Sequence, residues 1–349
     1  MSEFTIVKSI KLKNYLFILS SCVLCLFAGL RGAGVGVDDW VYIDVFVGSQ
    51  PILNWLFGYY QYSITENWME PGFSVFMALL RQFTEYYPFL FISVAVISIF
   101  SHSFFIIRAS CIPILSLLLY YSHAFILRDL TQIRSGVAAS LGIGVAYFAA
   151  KRKFYVAWAI LIVACSFHSA AAVLSIPLII SIFRPGRRFL LGVLIFSIGI
   201  SAMKITKPVL ELAPDIGFIS DKINHYVNSS YGSELPFFSL TNMKNLSLAL
   251  MLILAWRRLN EQLYFRTMMT FFVVGVSWRF ALGDFSIIAA RGATFLTATE
   301  TILIAGLVSV LRPRLVWIIV ASVFGAAMLF LNFSANVIPD YHFFWTYPE

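Results

Sequence analysis

Apolar runs of membrane-spanning length recur along the whole chain, and they constrain its fold more than any other feature. Hydrocarbon offers no water to pair with backbone amides, so a spanning segment satisfies them internally as a helix or within a closed barrel. The runs are continuous rather than alternating with period two, which selects helices. They give about eleven spans, near 14–30, 87–107, 109–127, 131–150, 154–167, 169–183, 189–204, 241–256, 267–283, 290–311 and 315–333. The expected fold class is all-α, a polytopic helix bundle forming a single membrane domain over 1–349, with two longer outer connections at 31–85 and 205–240. The pair 154–167 and 169–183 is short for a bilayer of about 30 Å, so these segments are expected to be half-length or broken helices meeting near His168.

The net charge is +8, and in a chain of this class its distribution matters more than its size. Placing the N-terminus in the cytoplasm puts Lys8, Lys11, Lys13, Arg108, Lys151, Arg152, Lys153, Arg184, Arg187, Arg188, Arg257, Arg258, Arg266, Arg312 and Arg314 on the inside, as the positive-inside rule requires. Of the 17 acidic residues, all except Glu3 and Glu261 then fall outside or near the outer face. Basic charge used this way leaves no nucleic-acid partner to expect, and any chemistry faces outward. The start of the chain has the form of an uncleaved signal anchor. Cys22, Cys25, Cys111 and Cys165 lie in apolar stretches without metal-type spacing, and no Walker, HExxH, GxSxG or dinucleotide motif is present. Neither a metal nor an organic cofactor is expected.

Segment 71–84, "PGFSVFMALLRQFT", is too short to cross at about 1.5 Å per residue. Phe73, Phe76, Met77, Leu80 and Phe83 form one helical stripe, with Ser74, Ala78, Arg81 and Glu85 opposite, so an interfacial helix on the outer leaflet is expected.

Ionisable groups near membrane depth are costly and usually functional. The first outer loop carries Asp38, Asp39, Asp44, Glu66 and Glu70. Asp38 and Asp39 read either as solvated loop charge or as active-site acids, and Glu70, just before Pro71, reads equally as a helix-capping carboxylate. In "FILRDLTQIRSGVA", Asp129 and Gln132 have capping-box spacing, which predicts a helix starting at Leu130 with its amides facing outward, a natural anion site. Arg128 stands just before that cap, either paired with Asp129 and snorkelling or binding a ligand. Arg134 lies a turn further in, beside Gly136.

"SWRFALGDFSIIAARGATF" supplies Arg279, Asp284 and Arg291, and Arg291-Gly292 repeats the logic of Arg134 and Gly136. Arginine forks at outward helix starts suit phosphate oxygens. His168, in "ACSFHSAAAV", is either a satisfied core histidine or a proton acceptor. Trp40, Tyr42, Trp55, Tyr59, Tyr60, Tyr62 and Trp68 crowd the same loop as sugar-stacking platforms or as an interfacial aromatic belt. The loop 205–240, with Tyr226 and Tyr231, could cover a sugar site. Glu300, mid-span in "TATETILIAG", has no assigned role at this level.

In order and spacing, "DDWVYIDVF", "EPGFSVF", "RDLTQIRSGVAAS", the "KRK" turn and "FHSAA" resemble the EpsG/Wzy-type family of bacterial surface-polysaccharide polymerases, over most of the chain. The long first loop with an acidic pair and a surface helix is also similar to glycosyltransferase-C architecture. The resemblance implies an O-antigen or exopolysaccharide polymerase of the inner membrane. Such an enzyme transfers a growing chain from undecaprenyl diphosphate to the non-reducing end of a new lipid-linked unit, on the periplasmic face. It implies a flippase and a chain-length regulator as partners. It maps the family's first-loop acids to Asp38, Asp39 and Glu70, its arginines to Arg128, Arg134 and Arg291, and its histidine to His168.

The residues suit that chemistry by themselves. Diphosphate leaves readily if its charge is stabilised, for which Arg128, Arg134, Arg279 and Arg291 are the candidates. The acceptor hydroxyl needs a base, drawn from Asp38, Asp39, Glu70, Asp129 or His168. Tyr42 and Trp40 are the sugar-contact candidates. A glycosyltransferase using a lipid-monophosphate sugar is the alternative enzyme. A transporter for an anionic lipid-linked substrate is the alternative of another class, though it requires charges along the inner halves of the spans.

Overall fold

The segment 133–150 carries glycine, alanine and serine where the other spans carry large side chains, and small residues let helices approach closely. It becomes the helix Ile133–Ala150, buried along nearly its whole length. A Cβ at Gly144 would come within 2.6 Å of the Phe105 ring and one at Gly142 within 3.0 Å of Leu174, so glycine at both positions sets the distance to the neighbouring helices.

The computed structural model describes residues 3–57, 69–206, 234–335, 337 and 340–346, with 3–14 and Trp55 described by backbone only. Glu66, Tyr59, Tyr60, Tyr62, Trp68, Tyr226 and Tyr231 lie outside the described residues. Every regular element among the described residues is helical, and the one β contact is an isolated antiparallel bridge between Arg31 and Phe343. The chain is a helix bundle with membrane-type apolar surfaces. Tyr87–Ala109, Ile133–Ala150 and Arg314–Ser334 are each long and apolar enough to cross a membrane, and Ser286–Leu296 with Glu300–Val310, bent by 55°, is apolar enough for a broken span or a re-entrant loop. The Arg314–Ser334 helix is largely unburied and exposes Leu315, Ile319, Val323 and Phe330, a surface suited to lipid.

Several of the expected segments are helical within a few residues of the expected bounds, as Arg187–Met203, Leu240–Leu254 and Phe265–Ala281. The expected break at His168 is present: Phe154–Phe167 ends there, His168 is extended (φ −155°, ψ 112°), and a 3₁₀ turn Ser169–Leu174 leads into Ser175–Ile182. The expected 109–127 span differs. It starts as a short α-helix, Pro113–Leu119, and widens into a π-helix, Tyr120–Leu130, a form that clusters at functional sites.

The interfacial-helix expectation also needs correction. Pro71–Arg81 is helical, but Ser74 and Ala78, expected to face away, are buried together with Phe73 and Met77, while Val75 and Leu79 are exposed. Phe73 packs edge-on against Tyr42 and Phe167, at 5.9 and 6.2 Å between ring centroids. The helix is therefore a buttress against the bundle, and it delivers Glu70 to the bundle's end.

Arg134 opens the helix Ile133–Ala150 and Lys151 follows it, about 25 Å away at 1.5 Å per residue. Arg152, Arg184 and Arg266 gather around a cavity of about 340 Å³ at the Lys151 end. The cluster described next occupies the other end, so basic loops and candidate site are separated by the thickness of the bundle.

Candidate functional site

Glu70 occupies the cap position before Pro71, yet its side chain makes no capping bond. Its buried carboxylate instead accepts from Arg134 Nη1 at 2.5 Å, from His168 Nδ1 at 3.0 Å, and from Ser169 N and Oγ at 3.0 and 3.2 Å. The break at His168 makes this possible, because a new helical turn begins with amides that have no partner inside it. Arg134, in the first turn of its own helix, reaches Glu70 and also lies over the Tyr42 ring, 5.5 Å from its centroid. Burial alone would raise the Glu70 carboxyl. The His168 hydrogen bond, the Arg134 charge and the Ser169 amide outweigh it and hold the group down at about 2.

A carboxylate that acidic is ionised throughout the physiological range and is a poor proton acceptor. Because it accepts only, the proton shared with His168 belongs to Nδ1, and in the neutral ring the lone pair is left on Nε2. Glu70 thus orients the imidazole in the way that second-layer carboxylates orient catalytic histidines.

His168 opens onto a recess of about 80 Å³ shared with Asp38, Tyr42, Arg134 and Arg291. Asp38 is half-buried there, and its carboxylate has no hydrogen-bond partner among the described residues. Beside the recess lies a larger cavity of about 580 Å³, whose wall includes Arg128, Arg279, Arg291 and Lys244. Gln132, Arg291 and Thr294 belong to both walls. Arg291 is exposed and unpaired among the described residues, whereas Arg128 donates to Thr294 O at 2.7 Å and Arg279 to Asn242 Oδ1 at 2.6 Å. An orienting carboxylate and imidazole therefore adjoin a cationic cavity, an arrangement able to take a proton and to stabilise an anion. Among the described residues no group of three or more His, Cys, Asp or Glu side chains is arranged to hold a metal ion.

The sequence model of the EpsG family matches residues 14–348. The chain belongs to the EpsG family. It is similar to the amylovoran biosynthesis protein AmsC of Erwinia amylovora, at 24% identity over 314 residues, covering 86% of this chain and 81% of that protein. No solved structure matches it.

In this EpsG-family chain the sequence-level candidates separate. Asp38, Tyr42, Arg134, His168 and Arg291 line the recess, Glu70 stands behind Arg134 and His168, and Arg128 and Arg279 line the adjoining cavity. Asp39 stands apart. It is fully buried in an ion pair with Arg31, Nη2 to Oδ1 at 2.8 Å and Nε to Oδ2 at 3.2 Å, and Oδ2 also accepts from Gly36 N at 2.7 Å. Arg31 itself lies 4.0 Å over the Phe91 ring. Asp39 therefore fastens the loop after the first helix and lines neither cavity.

Asp129 is not the expected cap either. The next helix begins at Ile133 after Gln132, without a side-chain capping bond. The π-helix turns Asp129 inward, to Ser98 Oγ and to Tyr120 OH at 2.6 Å. Arg128 crosses to Thr294 rather than pairing with Asp129 at the headgroups.

Tyr42 is a core residue whose ring face and hydroxyl both meet Arg134; burial holds the phenol above its ordinary value despite the nearby arginine. Trp40 is half-exposed, packs by Gly34 and lines neither of these two cavities.

The sequence reading missed Arg31, Ser169 and Lys244. Arg31 and Lys244 had a legible signal, since each is an isolated cation near or within an apolar segment and so required a partner. Lys244 supplies the partner for Glu300, with Nζ at 2.6 and 2.9 Å from its two oxygens. Ser169 contributes its amide, which no side-chain pattern announces.

Proposed function

We propose that this chain is an exopolysaccharide repeat-unit polymerase, a membrane glycosyltransferase that joins undecaprenyl-diphosphate-linked oligosaccharides at the outer face of a bacterial inner membrane. The observation that carries the reading is the His168–Glu70 pair opening onto a recess that shares Arg291 with the cationic cavity. The EpsG membership and the named role of the relative in amylovoran biosynthesis support it.

In this reading a hydroxyl at the non-reducing end of the incoming unit gives its proton to His168 Nε2 as its oxygen bonds to the anomeric carbon of the growing chain. The bond from that carbon to the diphosphate breaks, and the lipid diphosphate leaves as an anion held by Arg291, Arg128 and Arg279. Glu70 holds the imidazole in the required tautomer and Arg134 holds Glu70. A flippase delivers the lipid-linked units and a chain-length regulator acts on the product. The N-terminus lies in the cytoplasm, in keeping with the basic end of the bundle.

The test is complementation of cells lacking the chain, with polymer length scored on a gel. His168→Asn and Arg291→Ala are expected to leave single-unit material where the wild type makes long chains. Wild-type ladders from both variants, at equal protein level, would overturn the assignment.

A further inference from the structure

The large cavity has two ends of different chemistry. One face of the bent helix pair Ser286–Leu296 and Glu300–Val310 runs along it, with Arg291, Thr294 and Thr297 leading to Glu300 and Thr301. Arg291 and Glu300 stand on opposite sides of the 55° bend between Ser286–Leu296 and Glu300–Val310. The Arg291 end, with Arg279, is cationic. The Glu300 end holds an ion pair with Lys244 whose side chains keep 17% and 15% exposure, so two charges cancel there while both stay accessible from the cavity.

A second observation singles out the same wall. Among the described residues six buried side-chain atoms have no hydrogen-bond partner, and four of them, His102 Nε2, Arg128 Nη1, Asn245 Oδ1 and Thr301 Oγ1, belong to residues lining this cavity. His102, Asn245 and Thr301 are each more than nine-tenths buried. Unmatched polar groups are avoided in native interiors, and their concentration around one cavity points to a ligand.

The set mixes donors with acceptors. Glu300 only accepts and Arg128 only donates, whereas Thr301 and the Asn245 amide do both. A phosphate, which only accepts, would meet the Glu300 carboxylate. A sugar hydroxyl donates and accepts, and Leu119, Phe324 and Met328 offer apolar wall for the carbon face of a ring. The volume, about 580 Å³, is within the usual range for ligand sites, roughly 300–1,000 Å³.

We infer that the Lys244–Glu300 end of the cavity is a subsite for an uncharged, hydroxyl-rich sugar residue, with Asn245 and Thr301 reading its hydroxyls, while the arginine end takes the diphosphate. The inference rests on the lipid-linked-oligosaccharide reading above.

The test uses the full chain in lipid nanodiscs and two probes: undecaprenyl diphosphate alone, and the glycosylated lipid extracted from cells lacking this chain. Wild type is expected to bind the glycosylated lipid at least about tenfold more tightly. Glu300→Gln, Asn245→Ala and Thr301→Ala are each expected to weaken the glycosylated lipid by about five- to tenfold and the bare lipid by less than about twofold. Arg291→Ala weakens both. Thr301→Ala removes so little that it serves if the charge variant does not fold. Wild type that binds neither lipid contradicts the functional reading itself. Wild type that binds both equally, or subsite variants that affect both lipids alike or neither, overturns the sugar subsite alone.

Discussion

Glu70 and His168, separated by 98 residues in sequence, meet through Oε1 and Nδ1 at 3.0 Å, with Arg134 on the other carboxylate oxygen. The carboxylate is the hub: one side holds the imidazole and the other holds the arginine. Glu70→Gln keeps the size but removes the charge and offers an amide that pairs worse with two donors. A fall of roughly 10²-fold in kcat with little change in KM is expected, read from single-unit turnover by the purified chain. Unchanged kcat would show that Glu70 only braces the fold.

The same carboxylate sets an acid limit on stability. Its value is 4.5 when unperturbed and about 2 in the fold, so the folded state favours the ionised form. Above pH 4.5 the contribution is fully present and flat. As pH falls through 4.5 toward about 2, the unfolded chain takes up the proton first and stability declines. Thermal unfolding of the wild type in detergent is expected to lose a few kcal/mol over that window beyond what Glu70→Gln loses. Parallel curves for the two proteins would contradict this linkage.

Asp39 and Arg31 form a buried pair away from the cavities, and breaking one side strands the other charge. Asp39→Asn is expected to cost about 3–5 kcal/mol of stability, seen as a lower midpoint of thermal unfolding, while the folded fraction keeps its turnover. His168→Asn should do the reverse. A stable Asp39→Asn protein with no activity would return Asp39 to the reacting groups.

Arg291 has no partner among the described residues at the junction of recess and cavity, so its substitution leaves none of them unpaired. Arg291→Lys retains charge but loses the planar fork, and a drop of about tenfold or more in kcat/KM is expected with normal thermal stability. Full activity for the lysine variant would mean that a point charge suffices there.

Much of this was legible in the sequence. The helical class, the break at His168 and the candidacy of Glu70, Arg134, His168 and Arg291 follow from apolar run length and from charge where charge is costly, but the pairing of Arg134 with Glu70 does not. What failed was local. Capping spacing at Asp129 and Gln132 competed with a π-helix, whose two turns span roughly nine residues. That spacing brings Asp129 onto Tyr120. The acidic pair Asp38-Asp39 gave no hint that one member looks inward to Arg31 and the other outward to the recess, because adjacent side chains at a helix start diverge. An amphipathic stripe on 71–84 showed an apolar face but not whether lipid or protein covers it.

The central claim is that His168 Nε2 takes the acceptor proton. His168→Asn replaces Nδ1–H by an amide that still donates to Glu70 and removes the base. Purified chain in nanodiscs, supplied with the single-unit glycosylated lipid, is followed for the two-unit product. With wild-type stability and wild-type lipid binding, His168→Asn is expected to form product more slowly by about 10²- to 10⁴-fold. Product formation at the wild-type rate would contradict the account.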